Sequence, residues 1–378
     1  MTHSVSVFDR ETFLADQKNK LSEVEHRKLN EFFKEAAYKR QSFLGEIFVV
    51  FKRILRVGAI ADQQETAAVG VEAKKNALRH EAFRSDYESL DLLSNYYGNK
   101  YRGSYVYNYL MGAIAVFVAL TPIGFSFEHI FKEDAHRYEL ICSGIELAII
   151  VSILAIYKVG GIAHGKNARN SILGLRINRR WHEKWLEYRT LSERFRYMEL
   201  LYPIGIEPPQ KASVSIWGDA YFAWRLSQVN TKITHNIEAY KDRLLAVMEE
   251  QREYHFKNAL WSERIQHRLH TIATWMFYFT LIACASHFVL LTPIIILASG
   301  FFPAFAAAIH GISSSGEFGK SAQVSAQMKG QIDSLIDELN KTRDIEIVRM
   351  LVKKFHKIVV GESEDWKVIF KDKNVPLA

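Results

Sequence analysis

The sequence predicts an all-α membrane protein: four transmembrane helices arranged as two hairpins, with long helical extensions into the cytoplasm. Three observations lead there. No Asp, Glu, Lys or Arg occurs from Gly103 to Phe127, and none occurs from Thr271 to Gly316. A water-soluble helix carries polar residues every three or four positions, so apolar stretches of this length need a bilayer. A third apolar run, 140–157, approaches the roughly 20 residues that a helix needs to cross the hydrocarbon core. The remaining chain is helix-permissive, with neither Gly nor Pro from Ala220 to His270. At 48% apolar and 13% aromatic residues the chain is a folded polymer, and its mean hydropathy of −0.09 averages two very different kinds of segment.

Residues 1–104 read as a cytoplasmic helical region. Its start, "MTHSVSVFDRETFLADQ", has no basic stretch leading into an apolar core, so no cleaved secretion signal is expected. A helix over 31–57 places Phe43, Leu44, Ile47, Phe48, Phe51, Ile54 and Leu55 on one face, opposite Lys52, Arg53 and Arg56. That pattern suits docking on neighbouring helices or lying in the headgroup layer.

The first hairpin occupies 105–157, with spans at 105–125 and 138–157 joined by "SFEHIFKEDAHR". A cytoplasmic stalk region follows over 158–271, broken near "YPIGIEPPQKASVSIWGD", where Pro and Gly force a turn. The second hairpin covers 272–312, with spans at 272–291 and 293–312, and 313–378 forms a helical C-terminal region with a helix over 323–357. "FVALTPI" and "FVLLTPI", at 117–123 and 288–294, match at six of seven positions and point to a duplicated hairpin.

Orientation follows from the basic residues at the span ends, since Lys and Arg are retained on the cytoplasmic side. Lys158, Lys166, Arg169, Arg176, Arg179 and Arg180 follow the second span before any acidic residue, and Arg264 and Arg268 precede the third. Both termini and the central segment are therefore expected in the cytoplasm, and the protein in the inner membrane. Most of the +7 net charge lies in these flanks, where anionic lipid attracts it, so the lipid bilayer rather than nucleic acid is the expected partner.

"YKVGGIAHGKN" sets Gly160, Gly165 and Lys166 at phosphate-loop spacing. Asn167 stands where such a loop needs a hydroxyl for Mg²⁺, and the run in front has the length of a span rather than of a buried strand. Small residues with a basic flank are also what a span exit needs, so no NTPase is expected. His267 and His270 share a helix face, yet no third ligand accompanies them, and no metal or other cofactor is expected. Cys142 and Cys284 sit in apolar runs and imply no disulfide framework. No catalytic signature is present, so the chain is not expected to be an enzyme.

Glu146 is the acidic residue well inside a span. A carboxylate there is costly and marks either an ion path or a polar contact that joins helices. His287, at similar depth in span three, with Ser143 and Ser286 close by in sequence, completes a candidate intramembrane polar set.

The combination of a membrane hairpin, the helix "KNARNSILGLRINRRWHEKWLEYRTLSERFR" that leaves it, the stretch "FFPAFAAAIHGISSSGEFGKSAQVSAQM" and the C-terminal "GESEDW" resembles the SLATT group of bacterial two-transmembrane modules associated with nucleotide-signal sensors in defence systems. The resemblance covers roughly 90–370 and departs from the simplest members by having two hairpins. It implies an oligomeric effector of antiviral defence that permeabilises the inner membrane on a cytoplasmic signal, with a nucleotide-signal sensor as partner and a homo-oligomer as the working form. The alternative is a non-conducting anchor or scaffold that recruits a cytosolic partner.

Overall fold

The computed structural model describes residues 7–18, 20–36, 42–56, 81–160, 180–207, 215–228, 236–290, 292–370 and 375–376. Among them every regular element is helical: α1 (Val7–Gln17), α2 (Glu23–Ala36), α3 (Phe43–Arg56), α4 (Glu81–Gly124), α5 (Phe127–Phe131), α6 (Ala135–Gly160), α7 (Trp181–Leu201), α8 (Ile216–Ser227), α9 (Ile237–Ser286), α10 (Pro293–Gly316), α11 (Phe318–Lys341) and α12 (Ile345–Phe370). Helical runs containing α4, α6, α9 and α10 are long and apolar enough to cross a membrane.

Helix α4 is the central strut. Its second half packs against α6 and α10, while α10 also packs against α9. Close approach of α4 to α10 rests on glycine: Gly311 lies under the Tyr109 ring, Gly300 beside Leu120, and Gly124 beside Leu297, a series that runs antiparallel. Small residues let helix backbones meet where lipid tails supply no hydrophobic drive. The outward faces are apolar and bare, with Leu140, Leu147 and Val151 of α6 and Phe277, Leu281 and Ile282 of α9 all exposed. Such surface is stable only under a cover of lipid or protein.

The other half of α4 belongs to a second, aromatic core. Phe83 meets Phe195 of α7, Tyr101 stacks on Trp185, and Tyr97 packs on Tyr188. Phe32 of α2 touches Tyr188, Trp217 and Tyr221, joining α2, α7 and α8. Helix α11 packs along α9, and α12 closes against α7 and α11.

Several expected boundaries shift. The region expected as one helix over 31–57 contains two, α2 and α3. The C-terminal helix expected over 323–357 breaks after Lys341, where the Thr342 hydroxyl accepts from the Asp344 N–H and the Asp344 carboxylate caps the N–H of Glu346. These side-chain bonds offer the backbone an alternative to the helical ladder. The two copies of the heptapeptide differ in conformation. The first is helical within α4, with the Thr121 hydroxyl bonded to Phe117 O, whereas Phe288 lies beyond the end of α9 and Pro293 opens α10. Pro293 stands in a first helical turn, where no backbone bond is lost, whereas Pro122 lies inside α4, so the local match does not dictate a shared geometry.

Helix α3 docks through Leu44, Phe48 and Leu55, which are buried, and leaves Phe43, Val50 and Ile54 exposed on an adjoining stripe. At the crossing with α4, a Cβ on Gly103 would overlap the Leu44 carbonyl. Gly103→Ala should therefore push α3 off α4 and cost about 1 to 3 kcal/mol, read as a lower melting temperature in mild detergent; an unchanged melting temperature would refute this crossing.

Candidate functional site: a cleft between two apolar helices

Along α4, Gly112, Ala115 and Ala119 recur at helical spacing and present little side chain to α6. Opposite them stand Glu146, Ile150 and Ile153, and a cleft of about 450 Å³ remains between the two helices. Glu146 is half-buried there, with no hydrogen bond or ion pair to any described residue. Below the cleft the helices are tied together by Tyr107 and Ser152, whose hydroxyls are 3.0 Å apart. One residue on, the buried Asn108 amide donates to Pro376 O at 2.8 Å. The neighbouring Val375 is buried where Gly160 meets Trp181, so the C-terminal segment seats at the foot of α4 and α6.

The other members of the expected polar set are dispersed. Ser143 is exposed on α6 about one turn from Glu146. The Ser286 hydroxyl bonds back to Ile282 O at 2.7 Å, and His287 forms the C-cap of α9, its N–H directed to Cys284 O. Glu146 and His287 do not bond to each other: α6 packs along α4, and α9 along α10 and α11.

Of the expected basic flank, Lys158 lies over the Tyr157 ring, Arg180 pairs with Glu183 at 3.2 Å, and Arg268 donates to Ile54 O at 3.0 Å. Arg264 is half-buried on the same helix. Lys166, Arg169, Arg176 and Arg179 fall outside the described residues, as do Gly161, Gly165 and Asn167 of the near-phosphate loop. His267 and His270 are both exposed on α9. No group of His, Cys, Asp and Glu suited to a metal occurs among the described residues.

Two clusters escaped the sequence reading. In the aromatic core Glu35 accepts from Lys184 at 2.7 Å and from the hydroxyls of Tyr97 and Tyr188, each at 2.8 Å. Burial alone would raise the Glu35 carboxyl, but Lys184 and these hydrogen bonds hold it below its ordinary value. The second cluster, Lys52 with Arg102, brings together charges 50 positions apart; the one available signal was that Arg102 immediately precedes the first charge-free stretch.

Four apolar helices of spanning length, with a carboxylate in a cleft between two of them, define a multi-pass helical membrane protein. Comparison with protein-family models, with curated proteins and with solved structures finds no match to this chain.

Proposed function

We propose that this protein is an oligomeric, channel-like effector of the inner membrane that opens an ion path on a cytoplasmic signal, with Glu146 on that path. The observation that carries the reading is a carboxylate in an apolar helix that faces a cleft and has no polar partner among the described residues. Intramembrane carboxylates are expensive and mark ion or proton routes when nothing nearby neutralises them. Helix α6 supports self-association, since among the described residues it packs mainly on α4 while Leu140, Leu147 and Val151 stay bare. The resemblance to the SLATT group supports a defence role with a nucleotide-signal sensor as partner. Seating of Val375 and Pro376 at the foot of α4 and α6 gives a cytoplasmic trigger a place to act.

In this reading α4 with α6, and α9 with α10, are two membrane hairpins whose charged halves extend into the cytoplasm, and both termini lie on that side. In a chain freed of Cys142 and Cys284, an outside thiol reagent should label Asp134→Cys and spare Lys320→Cys; the reverse pattern would overturn this orientation. Conduction is tested with purified protein in liposomes. Cation flux above that of protein-free vesicles is expected, and its absence from an assembled oligomer under every trigger tried would leave the non-conducting anchor as the better reading.

A further inference from the structure

Helix α3 crosses α4 beside Gly103, where the first charge-free stretch begins, and reaches α9 at Trp261 and Arg268, just before the second. It therefore lies at the level where apolar helix gives way to charged helix. Its exposed stripe of Phe43, Val50 and Ile54 points away from the protein. On the protein side, Lys52 Nζ lies 5.0 Å and Arg102 Cζ 5.6 Å from the centre of the Phe48 ring, and Arg102 also lies 4.5 Å from the Trp185 ring. Both cations are half-buried, and neither has a hydrogen bond or ion pair to any described residue. Arg56 adds a third positive charge, its guanidinium 3.2 Å from the Trp261 ring centre.

We propose that Lys52 and Arg102, with Arg56 beside them, bind the phosphate group of an anionic membrane phospholipid, whose acyl chains run along the exposed stripe of α3. The proposal rests on the membrane placement of α4 and α9 and is independent of conduction. Two half-buried cations over the same Phe48 ring repel each other, and an anion bound by both removes that cost. The Arg102 guanidinium offers a planar fork of N–H donors suited to phosphate, and Lys52 a mobile ammonium. A zwitterionic headgroup would bring its own cation into the same place. Basic pockets between helices at the cytoplasmic face are suited to acidic headgroups for these reasons.

The electrostatics of Lys52 agree. Burial, then Arg102, then Arg56 pull its ammonium down to about 8. Arg268 of α9 adds positive charge at the far end of α3, Tyr105, Tyr254 and Tyr101 bear on Arg102, and Arg189 of α7, which also bears on it, is paired with Asp91 and Glu193. A bound phosphate favours the protonated ammonium. Affinity should thus be full below pH 8 and fall as pH rises above it, by up to about tenfold per pH unit.

The test is the melting temperature of the full chain in neutral detergent, titrated with phosphatidylglycerol, phosphatidylcholine or inorganic phosphate, together with a count of co-purified phosphatidylglycerol. Phosphatidylglycerol should raise the melting temperature by several degrees, and the other two should not. Lys52→Gln should melt no lower than the parent without lipid, since it removes a repelled charge, and should lose most of the phosphatidylglycerol shift and its pH dependence. Arg53→Gln, an exposed neighbour with the same charge change, should keep both. If Lys52→Gln does not fold, the lipid count on Lys52→Met decides. Retention of the full shift, or of the full count, by the Lys52 variant overturns the proposal. So does an equal shift with phosphatidylcholine. A shift reproduced by phosphate alone would assign the site to a free anion and overturn the lipid source. Glu146→Gln should leave lipid binding intact, so failure here and failure of the channel reading are distinguishable.

Discussion

Glu146→Gln is expected to leave the protein assembled and to cut its cation flux, with the preference for cations over anions falling about fivefold. Gln keeps the size of the side chain and removes its charge. A carboxylate bordering an aqueous path stabilises a passing cation by about 1 kcal/mol at a few ångströms in a water-like medium, which corresponds to about fivefold in occupancy. In an oligomer the carboxylates of several copies form a ring, and rings of this kind set cation selectivity. The competing account makes Glu146 a polar contact that joins helices. Within one chain that account lacks a partner, since no described residue bonds to Glu146 and His287 caps a helix that packs elsewhere. It would have to act between copies, and single intramembrane hydrogen bonds contribute only about 0.6 kcal/mol on average. Joining helices therefore predicts weaker assembly with unchanged selectivity, whereas an ion path predicts unchanged assembly with altered selectivity. Single-channel or liposome flux measured beside the oligomer mass separates them. Unchanged selectivity in an assembled, conducting Glu146→Gln protein would defeat the path reading.

What the sequence made legible follows from the range of the forces involved. The apolar helices announce themselves because every residue of a charge-free stretch reports the same solvent; the span expected at 138–157 lies within Ala135–Gly160. Continuity of α9 from Ile237 to Ser286 follows from local propensity, with neither Gly nor Pro anywhere along it. Breaks set by one or two side-chain bonds were invisible: Asp344 caps a helix only once Thr342 has turned the chain. For α3 the expected docking is observed through Leu44 and Phe48 while Phe43 and Ile54 remain bare, and a helical pattern alone cannot divide one apolar face between docked and exposed residues. The candidate site divides similarly. Glu146 stood out because charge is rare in an apolar run, but its neighbours did not, because depth along a span says nothing about which span lies beside it. Pairing Glu146 with His287 needed α6 next to α9, and the fold sets α4 beside α6 instead.

Lys184→Met is expected to cost roughly 3 to 5 kcal/mol, the range for removing one partner of a buried ion pair. Glu35 and Lys184 are both nearly enclosed, their side chains 10% and 12% exposed, and Glu31 lies 3.2 Å from the same ammonium. Without Lys184 the Glu35 carboxylate keeps the hydroxyls of Tyr97 and Tyr188 but loses the charge that opposes its burial. The sign with pH is distinctive. In the parent the Glu35 carboxyl is held below its ordinary 4.5, so its contribution is present above pH 4.5 and is lost as pH falls through the lowered value. In Lys184→Met burial prevails and the carboxyl rises above 4.5. The folded state then binds more protons than the unfolded one, and stability falls as pH rises from 4.5 toward neutral. The gap between parent and variant should accordingly be widest near pH 7 and narrow below pH 4.5. Glu35→Gln should cost less, because its amide oxygen still accepts from one tyrosine, and adding it to Lys184→Met should remove most of the pH dependence of the gap. Chemical denaturation in mild detergent at several pH values measures all three. A gap that stays constant with pH would show that Lys184 acts by packing its aliphatic stem rather than by holding the charge on Glu35.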